Sequence, residues 1–91
     1  MTTADKIKQV YKAHQELVLE KNKRYGNSAL EPIGIFNKAD ASNSIKIRLD
    51  DKLQRIKNSS ELSKNDVSDM MGYLILLCVY NEWNDFKEQI D

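Results

Sequence analysis

Asp66 and Asp69 stand three residues apart, so in a helix they share one side, and Tyr73 continues their line. Arg48, Asp51, Lys52 and Arg55 fall at i, i+3, i+4 and i+7, the spacing of a second helical face. If the two segments pack as an antiparallel hairpin, these polar lines meet. Carboxylates facing each other across a helix pair can hold Mg²⁺ through water, and cations beside them can neutralise phosphate oxygens. The ordinary alternative is that Asp66 and Asp69 are solvated acids of a first helical turn, where the helix dipole favours them.

A second group gathers at Lys21-Asn22-Lys23-Arg24-Tyr25-Gly26-Asn27-Ser28. Lys21, Lys23 and Arg24 suit phosphate, and Tyr25 can stack on a base. The same residues also make a plain helix end followed by a loop. Glu16 and Glu20 form an i, i+4 pair of the kind that usually faces solvent. His14 lies on an apolar face without a partner at metal-ligand spacing, so we expect a half-buried packing residue. The sequence contains neither a phosphate-cradling glycine loop of known spacing nor a nucleophile elbow.

Three helices must position these groups. The first is expected over about 3–24, with Ile7, Val10, Tyr11, His14, Leu17 and Val18 in register. Thr2 or Thr3 caps it, Asp5 favours its start, and Gly26 stops it. A long connection over about 26–43 follows, holding the sole proline and one short turn near Ile35–Lys38. Leu30, Ile33, Ile35 and Phe36 would pack it down. The second helix is expected over about 44–57, capped by Ser42 or Asn43, with Ile45, Leu49, Leu53 and Ile56 as its stripe. Ser63-Lys64-Asn65-Asp66 resembles a capping box with Asp in place of Glu, opening a third helix toward about residue 89.

Val67, Met70, Met71, Leu74, Leu77 and Cys78 share one face of that helix, and Tyr73, Ile75, Leu76, Val79 and Tyr80 extend the apolar surface around it. A helix apolar all round is buried all round. Two short partners would struggle to cover it, so we expect a dimer or tetramer through this helix.

Composition agrees with one small all-α domain over 1–91. Glycine numbers three and proline one, too few for a sheet-and-turn fold. Fourteen basic residues balance fourteen acidic ones, so no global field steers the chain to DNA, RNA or membrane. The lone Cys78 has no partner for a disulfide or zinc site. The N-terminal residues lack a signal-peptide core, and the apolar run at 73–80 is too short to span a bilayer. A cytoplasmic protein is expected.

The segments Lys21–Ser28, Ile33–Phe36, Arg48–Arg55 and Asp66–Tyr73, in that order, resemble the nucleotide-modification-associated domain 1 family of phages and bacteria. Its signatures take forms such as KN-x-x-YG-x-S, DK-x-x-R and D-x-x-x-Y, and the likeness spans roughly residues 20–80. That family is similar to the all-α NTP pyrophosphatases of the MazG and dimeric dUTPase type. These hold Mg²⁺ with an E-x-x-E and an E-x-x-D pair and cleave the α–β phosphate link.

The resemblance implies Asp51, Asp66 and Asp69 as metal ligands. Lys21, Arg24, Tyr25, Arg48, Lys52, Arg55 and Tyr73 would meet a nucleotide. Arg48 stands where the first acid belongs, which lowers the charge available for Mg²⁺. Two functions follow as expectations. One is a hydrolase resembling Mg²⁺-dependent NTP pyrophosphohydrolases. The other is a non-catalytic phage protein that sequesters a signalling nucleotide of host defence.

Overall fold

The structure, a computed structural model, describes residues 1–31 and 40–90. These residues contain three α-helices: α1 over Thr3–Tyr25, α2 over Ala41–Asn58 and α3 over Lys64–Tyr80. A short 3₁₀ turn follows at Lys87–Gln89. The all-α expectation holds. The turn expected near Ile35–Lys38, and the packing of Ile33, Ile35 and Phe36, lie outside the described residues.

The start of α1 is a full capping box. The Thr2 hydroxyl accepts from the Asp5 amide at 3.1 Å, and the Asp5 carboxylate accepts from the Thr2 amide at 3.0 Å. Its end requires Gly26, whose φ of 62° and ψ of −148° place it in a region open essentially to glycine alone. For α2 the cap is Asp40, which accepts from the Asn43 amide at 2.8 Å, so the helix begins three residues before the expected Ser44. The earlier start seats Ala41 in the core.

The end of α3 corrects the expectation of a helix to residue 89. It stops at Tyr80 in a Schellman motif: the Trp83 amide donates to the Cys78 carbonyl at 2.8 Å and the Glu82 amide to that of Val79 at 3.1 Å. Glu82 takes the left-handed position at φ 59°, where glycine is usual. Replacing it should relieve the clash of its Cβ with the backbone. Glu82→Gly is expected to stabilise the chain by about 0.5–1 kcal/mol in urea unfolding; an unchanged or lowered midpoint would contradict this account.

Lys52 pairs with Asp66 and Asp69, while Arg48 sits over Tyr73, so α2 and α3 run antiparallel. The core lies along this hairpin. Among the described residues only Ala41 and Ile45 are buried. The inward stripe of α2 runs Ile45, Leu49, Lys52, Ile56, while Leu53, expected in it, is half exposed. The spacing of four, three and four keeps these residues on the α3 side. Lys52 can take an inward place because its aliphatic stem packs while its ammonium reaches two carboxylates.

α1 meets α3 across the pair His14 and Ser68 and the pair Lys21 and Asp69. Its first turns carry Ile7, Val10 and Tyr11 in exposed positions. No helix among the described residues is long and apolar enough to cross a membrane.

Candidate functional site

A cleft of about 410 Å³ opens where the C-terminal half of α1 and the Gly26–Leu30 turn face α3. Its apolar wall is Leu17, Val18, Leu30 and Leu76. Its polar wall includes Lys21, Asn22, Asn27, Arg48 and Asp69, with Tyr25 and Tyr73 among the lining residues. The turn is built locally. Asn22 Nδ2 donates to the Gly26 carbonyl at 3.1 Å and to Asn27 Oδ1 at 3.0 Å. The Asn27 carbonyl then accepts from the amides of Leu30 and Glu31. Gly26 lets the chain reverse, and the two asparagines hold the reversal over the cleft.

Beside the cleft, four charges meet. Lys52 Nζ lies 2.8 Å from Asp69 Oδ2 and 3.6 Å from Asp66 Oδ1, and Lys21 Nζ lies 3.3 Å from Asp69 Oδ1. The side chains of Lys52, Asp66 and Asp69 are only 12%, 13% and 17% exposed. The hydrogen bond from Lys52 holds the Asp69 carboxyl below its ordinary range, aided by Lys21 and opposed by desolvation. The same bond holds Lys52 above the usual lysine range.

The expected meeting of the two polar lines therefore takes place, with Lys52 as its centre. Asp51 is exposed, lies outside the cleft lining and forms no ion pair among the described residues. No group of three or more acids, histidines and cysteines able to hold a metal converges among the described residues. Asp51, Asp66 and Asp69 do not fit a Mg²⁺ centre in this arrangement. The ammonium of Lys52 already stands between two of the carboxylates, and with Lys21 it brings their formal charge to zero.

Of the residues expected to meet a nucleotide, Lys21, Tyr25, Arg48 and Tyr73 line the cleft. The Arg48 guanidinium lies 5.8 Å from the Tyr73 ring centroid, within cation–π range, which orients it without neutralising it. Arg24 turns to Glu20 at 2.9 Å, an exposed i, i+4 pair. Arg55 is exposed and outside the lining.

His14 and Ser68 are in the cleft but were not among the expected ligand-binding residues. His14 Nε2 lies 2.9 Å from the Ser68 carbonyl and 3.2 Å from its hydroxyl. A carbonyl only accepts, so Nε2 carries the proton and has no lone pair for the hydroxyl. The pair clamps α1 to α3; it is not an activated nucleophile. Its partners are 54 residues apart in the chain, beyond the reach of any spacing rule. The apolar wall had a weak signal in the helical register of Leu17 and Val18.

No family model matches the chain, and no curated protein or solved structure does.

Proposed function

We propose that this chain is a nucleotide-binding protein of the nucleotide-modification-associated type, and that it holds its ligand in the cleft without hydrolysing it. The observation that carries this reading is the lining itself. Two cations, Lys21 and Arg48, and two aromatic rings, Tyr25 and Tyr73, share one recess with an apolar wall. Cations suit phosphate oxygens, with the guanidinium able to fork two of them. Tyrosine faces and apolar side chains suit a base. A volume of about 410 Å³ falls within the usual range of small-molecule sites. The position of Lys52 favours binding over hydrolysis, because Asp66 and Asp69, two of the three carboxylates that resemble a pyrophosphatase's acids, are already neutralised.

The protein is also proposed to self-associate. A compact monomer of 10.5 kDa exposes about 5,400 Å² by the usual scaling, whereas this chain exposes 7922 Å². Its radius of gyration is 15.0 Å, against about 12 Å for a compact chain of this length. The excess, about 2,500 Å² per chain, has the size of an obligate interface.

Calorimetric titration against a nucleotide panel, with products followed by chromatography, tests the reading. Arg48→Ala should weaken binding by about 1.5 kcal/mol or more, as loss of a charged hydrogen bond does, with little change in melting temperature. Arg55→Ala should bind as the parent does. Equal binding by Arg48→Ala would move the phosphate site elsewhere. Release of pyrophosphate in the presence of Mg²⁺ would replace sequestration by hydrolysis.

A further inference from the structure

Charge balance in the cleft limits which nucleotides it can hold. Among the described residues, two cations line it, Lys21 and Arg48, with one carboxylate, Asp69. The neighbouring Lys52 and Asp66 cancel each other. The described residues of the recess thus present one net positive charge. Arg24 is paired with Glu20, and Arg55 is outside the lining. A phosphomonoester carries roughly −1.5 to −2 at neutral pH, and a cyclic phosphodiester about −1. Either matches this recess. A triphosphate brings two more anionic groups, more negative charge than the described cations of the recess balance.

From this balance we infer that the cleft takes a nucleotide with a single phosphate group, bound without a divalent cation. The inference rests on the nucleotide-binding reading and narrows it. Lys21 and Arg48 straddle the one phosphate, and the base lies toward Leu17, Val18 and Leu76. Asp69 keeps Lys21 and Lys52 in place. The size agrees, because about 410 Å³ is at the small end of ligand sites.

The test is titration calorimetry on the whole chain at constant ionic strength. The ligands are the mono-, cyclic mono- and triphosphates of adenosine, guanosine, cytidine and uridine, with inorganic phosphate alongside. Each is run with EDTA and with millimolar Mg²⁺. For any base that binds, a single-phosphate form should bind about ten-fold or more tighter than the triphosphate in EDTA. Mg²⁺ should alter single-phosphate affinity less than about two-fold. A triphosphate that binds more tightly, or a single-phosphate form that needs Mg²⁺, would overturn the inference while leaving nucleotide binding standing. Silence across the whole nucleotide panel, or inorganic phosphate binding as well as the nucleotides, would overturn both.

Discussion

Ile75→Glu is expected to turn a sedimenting dimer or tetramer into a monomer or an unfolded chain at micromolar concentration. α2 covers one side of α3, and Leu74, Ile75 and Val79 on its other surfaces remain about half exposed. Met71, Leu74, Ile75 and Cys78 follow the i, i+3, i+4, i+7 spacing of one face. In an isolated chain such positions would tolerate a charge within about 0.5 kcal/mol. Inside a desolvated interface an unpaired carboxylate costs about 3 kcal/mol or more, which is over a hundred-fold in association. The two cases are therefore far apart. Val79→Asp should behave alike. A parent protein that sediments as a stable monomer, with Ile75→Glu equally stable, would refute the assembly.

Lys52→Met should lower the melting temperature and at the same time create a response to metal. Methionine keeps the packing of the aliphatic stem and removes the ammonium. Asp66 and Asp69 are then left close together and largely enclosed, with Lys21 as their remaining partner on the Asp69 side. The loss expected for half-buried carboxylates is about 2 kcal/mol, between surface and buried pairs. For a domain of this size that is about 10 °C. Mn²⁺ or Mg²⁺ should then restore part of the loss in the variant by binding the folded state, and should leave the parent unmoved. A parent that gains as much from metal as the variant would show that Lys52 does not hold the cation's place.

The same pair has a pH signature. Asp69 is held low in the folded chain, so its contribution is present at neutral pH. It is lost as the pH falls below about 4, the ordinary carboxylate range, through the lower folded value. Lys52 is held high, so its share is present below the ordinary lysine range and lost as the pH rises above about 10.4 through the folded value. Both limbs should flatten in Lys52→Met.

Local rules made much of this molecule legible. Thr2 and Asp5 mark the start of α1 because a hydroxyl and a carboxylate three residues apart close on the free amides. Gly26 marks its end because its backbone angles exclude other residues. Ser63 caps α3, accepting from the Asp66 amide at 3.3 Å. Three-residue and four-residue spacings placed Asp66, Asp69 and Tyr73 along one line, and Arg48 and Lys52 along another, because helical geometry alone sets those neighbours. Each of these outcomes depends on interactions within about one helical turn.

What lay beyond that range could not be read along the chain. The end of α3 has no glycine or proline at 81–83, and Glu82 adopts the left-handed turn that closes the Schellman motif. Leu53 is more apolar than Lys52, yet Lys52 turns inward, because two carboxylates on another helix receive its charge. Asp51 has the right residue type and spacing for a metal ligand, but α2 leaves it exposed. Arg48 and Arg55 are chemically alike, both exposed and two turns apart on α2; only the packing of α2 and of α1 against α3 puts Arg48, and not Arg55, in the cleft lining. Helical periodicity fixes which side chains travel together, whereas the partner that neutralises or covers them depends on how separate helices pack.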